Sequence, residues 1–173
     1  MKSDGRHIDP PGRPTFGSLF REPYQTYLTW LYERLKREGF PDIRVTHSTV
    51  LRRISIDGAR VTDLAERAGM TKQSMAYIVD DLIELGYVTI APDPSDGRAK
   101  LVVPTKKGER LLVAARDLGD MYEQHVAKLL GAGQAKKLRS LLEQLNVKLT
   151  ATPPPEPGIR TSDPVVCRLS SAR

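Results

Sequence analysis

What most restricts the fold of this chain is a double change of hydrophobic period between Val61 and Gly108. Apolar residues recur first at helical spacing, then at strand spacing, then at helical spacing again. In the first stretch Thr62 is a candidate N-cap for a short helix through Arg67, Gly69 suits the left-handed residue ending it, and Met70 fills the corner. Thr71 is placed to cap a second helix running to Leu85. The order Ala65, Gly69, Met75, Ile78 supplies a small residue where two helices touch, a glycine in the bend and apolar residues facing the crevice, as a helix-turn-helix requires. The runs Tyr87–Ala91 and Ala99–Val103 are rich in β-formers, and Pro92–Arg98 between them holds Asp-Pro and Asp-Gly turn pairs. They predict a hairpin with a charged tip. Thr105 then caps a long helix bearing Leu111, Leu112, Ala115, Leu118, Tyr122, Val126 and Leu129. After Gly131-Ala132-Gly133, a last helix carries Leu138, Leu141, Leu142, Leu145 and Leu149.

Upstream, Tyr24, Tyr27, Leu28, Leu31 and Leu35 share one side of a predicted amphipathic helix, Tyr24–Glu38, which Gly39 stops. A shorter helix follows, with Thr46 as N-cap, Val45 and Val50 as a hydrophobic staple and Asp57-Gly58 turning the chain. Arg52 and Arg53 remain on its outer side. Eight of the 13 prolines fall in the two ends, so segments 1–18 and 151–173 are expected to be disordered and 19–150 to be the folded unit. A chain of 173 residues has room for about one domain.

Several classes are excluded on composition and motif. No stretch approaches the roughly 20 apolar residues of a membrane span. Met1-Lys2-Ser3-Asp4 leads into glycine and proline, so no secretory signal is expected and the location expected is cytoplasmic, associated with the nucleoid. Cys167 stands alone, and His7, His47 and His125 are scattered, so neither a disulfide nor a metal site is expected. No nucleophile elbow, Walker loop or dinucleotide fingerprint is present, so the chain reads as a non-enzyme without a cofactor.

The run Asp93-Pro94-Ser95-Asp96-Gly97-Arg98-Ala99-Lys100-Leu101-Val102-Val103-Pro104-Thr105-Lys106-Lys107-Gly108 resembles the wing signature of the multiple-antibiotic-resistance regulator (MarR) family and the Thr-x-x-Gly start of the helix after it. Leu64-Ala65-Glu66-Arg67-Ala68-Gly69-Met70-Thr71-Lys72-Gln73-Ser74 resembles that family's helix-turn-helix. Pro104 stands where the family more often has leucine, and the Pro-rich tail has no family counterpart. The resemblance implies a mainly α fold with a small β-hairpin wing, a winged helix-turn-helix (about 46–108) flanked by dimerisation helices (about 20–39 and 105–149). It also implies a homodimer on a pseudo-palindromic double-stranded operator, acting as a transcriptional repressor released by a small aromatic or drug-like effector.

With Met75, Ile78, Val79 and Leu82 facing inward, the other side of the second helix presents Gln73, Tyr77, Asp80 and Glu84, flanked by Ser74, Ala76 and Asp81. Gln73, Ser74 and Tyr77 are the candidates for base edges. Lys72, at the helix start with Thr71, is a candidate for a phosphate. Arg98 at the hairpin tip is the candidate minor-groove probe, with Asp93 or Asp96 orienting it. Lys100 and the Arg52-Arg53 pair add positive charge on the phosphate path. Lys106 and Lys107 are expected to be a solvated first turn. Val61–Gly108 nevertheless holds six basic residues against seven acidic ones, so placement rather than net charge must carry any affinity for a polyanion. Tyr24, Tyr27, Trp30 and Tyr32 are expected to pack in a core or dimer contact, and, with His47, are the candidates for an effector pocket. His47 is otherwise expected to be a polar residue in the first turn of its helix. The acidic outer half of the second helix favours one alternative, a winged-helix protein-interaction module without DNA binding.

Overall fold

A computed structural model describes residues 14–151. Most of the two expected loose ends, and Cys167 with them, lie outside those residues. The elements run α1 (Phe16–Arg37), a 3-10 turn (Val45–His47), α2 (Ser48–Leu51), α3 (Val61–Ala68), α4 (Lys72–Glu84), β1 (Val88–Asp93), β2 (Asp96–Pro104), α5 (Lys106–Leu130) and α6 (Ala132–Ala151). The expected class is what the chain adopts, a mainly helical winged helix-turn-helix with one antiparallel hairpin. The chain divides into two compact units after Gln124. The first holds everything up to most of α5; in the second, no residue of α6 is buried.

α1 begins earlier than its periodicity suggests. Residues 16–18, expected to be loose, form its first turn because Thr15 Oγ1 accepts the Ser18 backbone N–H at 3.2 Å. Pro23, which reads as a breaker, lies inside the helix and forgoes the bond to the Leu19 carbonyl. Leu28, Leu31 and Leu35 are its buried stripe.

Three local expectations need correction. Thr46 caps nothing: the cap position is Arg44, whose backbone N–H is accepted by His47 Nδ1 at 3.1 Å. Val45 is exposed, so it does not staple against the fully buried Val50. Thr62 lies in the first turn of α3, where its hydroxyl donates to Asp63 at 3.1 Å, and Arg60 occupies the cap position. The rest of the bend is as expected. Gly69 takes the left-handed conformation at φ 62°, the Met70 N–H reaches the Ala65 carbonyl at 3.0 Å, and Thr71 Oγ1 accepts the Ser74 N–H at 3.1 Å.

In the hairpin, pairing runs from Val88↔Pro104 to Pro92↔Lys100 and, after an irregularity, closes on Asp93↔Asp96. The strands therefore continue farther than propensity indicates, and the tip is Pro94-Ser95. Pro104 sits at a strand end, where its missing N–H disturbs little. An unexpected bridge joins Ala59 to Val102 through bonds of 3.0 and 2.9 Å. Gly58 permits it, for at φ +91° a Cβ there would lie 2.6 Å from Val103 Cγ1 and 2.8 Å from the Val102 oxygen.

Helix α4, the hairpin and α5 meet at Tyr87, which is fully buried. Its ring faces Phe40 at 6.2 Å between centroids, and its hydroxyl donates to Asp42 at 2.6 Å. Its carbonyl accepts the Thr105 N–H at 3.0 Å. Lys107 is no solvated residue: its ammonium lies 4.0 Å from the Tyr87 ring centre and donates to the Leu85 carbonyl at 2.9 Å. Burial and the Asp42 carboxylate together push the phenol well above its usual range. Gly108 completes the joint, because a Cβ there would fall 2.0 Å from the Tyr87 oxygen.

Gly108→Ala should therefore destabilise the fold by about 1–3 kcal/mol in chemical denaturation, because the α5 backbone must retreat from Tyr87. Gly133→Ala, with no atom within 4 Å of the added carbon, should be neutral or stabilising by up to about 1 kcal/mol. Equal effects would contradict the close-approach account.

Candidate nucleic-acid interface

Helix α4 buries Met75, Val79 and Leu82 and half-buries Ile78. The opposite face leaves Thr71, Lys72, Gln73, Ser74 and Tyr77 exposed, Tyr77 at 67%. These five sit on the first turns of a capped helix, whose leading backbone N–H groups have no intrahelical acceptor. The Gln73 amide reaches the Tyr77 hydroxyl at 3.5 Å, so the two side chains present one continuous edge. Ser74 is partly engaged, its hydroxyl accepting from Thr71 at 2.8 Å. Asp80 and Glu84 are exposed toward the far end.

Asp81 differs from its two acidic neighbours. His47 Nε2 lies 2.8 Å from Asp81 Oδ2, and the Arg44 guanidinium closes on the same oxygen. The hydrogen bond from His47, then the charge of Arg44, holds the Asp81 carboxyl below the usual carboxylate range. His47 is thus no surface residue of a first turn but a fully buried one.

On the hairpin, Arg98 and Lys100 are exposed. The expected orienting acids do something else. Asp93 Oδ1 accepts the Ser95 N–H and hydroxyl at 2.8 and 2.6 Å, an Asx turn that closes the tip. Its other oxygen accepts from Arg60 Nε and Nη2 at 2.8 and 2.6 Å. Asp96 accepts the Arg98 backbone N–H at 3.1 Å and leaves the guanidinium alone. The acids therefore shape the tip, and Arg60 straps it to the residue before α3. Ser95 first, then Arg60, pull the Asp93 carboxyl down to about 2. The role of Arg60 is not legible in the sequence, because its partner lies 33 positions away.

The remaining cations separate. Arg53 donates to the Arg67 and Thr49 carbonyls at 3.2 and 3.0 Å, bracing the short helix against α3. Lys106 is exposed and pairs with Glu109 at 2.9 Å. Arg52, expected beside Arg53 on the phosphate path, lines a cavity instead. That cavity of about 410 Å³ lies among α1, α2 and α5, walled by Tyr24, Tyr27, Tyr32, Leu28, Leu51, Leu111 and Ala115, with Arg52, Ser48 and Arg116 as polar members. Burial raises the phenols of Tyr27 and Tyr32 above their ordinary value, partly offset by Arg52 at Tyr27 and chiefly by Ser48 at Tyr32. Trp30 and His47 do not line it. Trp30 packs on Tyr122 at 5.2 Å between ring centres, and Tyr27 meets Tyr122 edge-on at 4.9 Å.

Residues 42–99 match the family model described as MarR family. The transcriptional regulator HosA of Escherichia coli O111:H- is 30% identical over 108 residues, 61% of this chain and 80% of HosA. Several solved structures share the fold. The Staphylococcus aureus MepR–DNA complex matches with a TM-score of 0.61 at 21% identity, over 79% of this chain and all of MepR. CouR of Rhodococcus jostii RHA1 bound to p-coumaroyl-CoA matches with a TM-score of 0.59 at 24% identity, over 82% of this chain and 94% of CouR. No helix among the described residues is long and apolar enough to cross a membrane.

The depressed Asp93 carboxyl makes the hairpin tip acid-sensitive. A carboxylate lowered on folding contributes stability that is complete above its unfolded value, near 3.8, and is lost as pH falls through its folded value of about 2. Asp93→Asn should be less stable than the parent above about pH 4, and the gap should close toward pH 2. Denaturant titrations across this range check it, and a gap independent of pH would contradict the assignment.

Proposed function

The chain belongs to the MarR family, and from that premise we propose that it is a homodimeric, sequence-specific double-stranded DNA-binding repressor released by a small amphipathic effector. The observation that carries the DNA half is the exposed polar edge of Gln73 and Tyr77 on a capped helix whose other side buries Met75, Val79 and Leu82 in the core. In this reading the start of α4 enters the major groove, where Gln73, Ser74 and Tyr77 meet base edges and Lys72 and Thr71 meet a phosphate. Arg98, exposed on a hairpin that Arg60 holds in place, enters the adjacent minor groove, with Lys100 on the backbone.

Two half-sites about 10 bp apart require two copies of α4. The second copy is proposed to cover the apolar residues that one chain leaves exposed, namely Phe16, Leu19 and Phe20 on α1 and Leu138, Leu141 and Leu142 on α6. A monomer in sedimentation at micromolar concentration would overturn this part. The effector is assigned to the tyrosine-lined cavity, whose volume suits a small molecule and whose Arg52 suits an anionic group on it. MepR has been solved with DNA and CouR with an acyl-coenzyme A, which supports both halves as analogy.

Duplexes selected from a random pool should bind at low salt, with affinity falling as salt rises. Arg98→Ala should weaken the selected duplex by about 1–3 kcal/mol, whereas Lys106→Ala should weaken every sequence slightly and alike. A folded dimer that retains no duplex would instead favour the protein-interaction module.

A further inference from the structure

The cluster of Arg44, His47 and Asp81 has no part in the contacts above, yet it ties the segment that lines the cavity to helix α4. Ile43, Ser48, Leu51 and Arg52, which flank His47 in the chain, line the cavity. The imidazole itself bonds to the last turn of α4, at Asp81, two turns after Gln73. Because His47 Nδ1 accepts the Arg44 N–H, the neutral ring carries its proton on Nε2 and donates it to Asp81. The ring has no exposed surface. A buried donor with one acceptor resists separation from it, since parting would leave the N–H unpaired away from water. Movement of the cavity wall at Ser48 or Leu51 therefore either carries Asp81 with it or breaks this bond.

We propose that His47 and Asp81 are a positioning pair that transmits occupation of the cavity to helix α4, setting how Gln73 and Tyr77 are presented. The proposal rests on α4 being the DNA-reading helix. The pair acts through α4 and touches neither DNA nor effector. Arg44 holds the acceptor oxygen from its solvent side, so the carboxylate stays charged and in place for the imidazole.

The test fills the cavity from within, with no ligand needed. Ala115 lines it from α5, and Ala115→Phe places a ring there. Affinity for a duplex selected with the parent protein is measured for the parent, Ala115→Phe, Asp81→Ala, Asp81→Asn and the two double variants, each checked for folding by circular dichroism. Filling the cavity should weaken binding about tenfold with the pair intact, less than about threefold in Asp81→Ala, and about tenfold again in Asp81→Asn, which keeps the acceptor oxygen. The same factor in all three backgrounds, or full affinity in folded Ala115→Phe, overturns the proposal. If Ala115→Phe does not fold, Ala115→Leu takes its place with the same expectations. Independently of filling, Asp81→Ala alone should lower affinity for the selected duplex at least about threefold and leave low-salt binding to random duplex unchanged, and equal loss on both overturns it. If the parent binds no duplex, the DNA-binding reading fails; if it binds and the effects are additive, only the coupling fails.

Discussion

Tyr87 is the joint on which the arrangement of this protein depends. It follows the last turn of α4, precedes β1 and supplies the carbonyl against which α5 starts. A phenol can serve three elements at once because its ring fills the core while its hydroxyl needs a single acceptor, here Asp42. Lys107 then pairs with Asp42 at 3.4 Å and donates to the carbonyl of Leu85, the residue that ends α4, from above the ring. Gly108 is the corresponding concession by α5, which gives up a side chain so that two backbones can touch. The direction of the hairpin relative to α4 follows from this contact, and any function that needs both elements follows from that direction.

Charge on the winged segment looks unfavourable when summed and different when paired. Three of the seven acids between Val61 and Gly108 are matched by cations outside that segment, Asp81 by Arg44, and Asp93 and Asp96 by Arg60. These acids shape structure, Asp81 holding α4 to the turn before α2 and the other two shaping the hairpin tip. Of the exposed cations in the segment, Lys72, Arg98 and Lys100 stand at the start of α4 and near the tip, while Arg67 lies in the last turn of α3 and Lys106 pairs with Glu109. Local placement decides what a polyanion would meet, because at physiological salt the field of an exposed charge fades within about 8 Å.

Much of the fold was legible because it is written in short-range terms. Periodicity marked every helix longer than one turn, and Gly69, Thr71 and Thr105 marked the ends that matter, since a left-handed residue or a capping hydroxyl acts within three or four positions. The failures were also local: α1 continues through Pro23, and neither Thr46 nor Thr62 caps a helix, because a neighbouring residue supplied the start in each case. The exposed candidates Lys72, Gln73, Tyr77 and Arg98 could be named from helical and hairpin geometry alone, because facing outward is a property of a single element.

Side-chain partnership across elements was not legible. Arg60 with Asp93, His47 with Asp81 and Lys107 with Tyr87 join positions 33, 34 and 20 residues apart, and no periodic pattern encodes which arginine meets which acid. Arg52 and Arg53 make the point within one dipeptide: in the turn after α2 their side chains diverge, and one lines a cavity while the other spends its donors on carbonyls. Residue type and spacing settled the order of the elements and the faces they bury. Which polar groups were left free awaited packing, since a charged side chain takes whatever partner the folded backbone brings within reach.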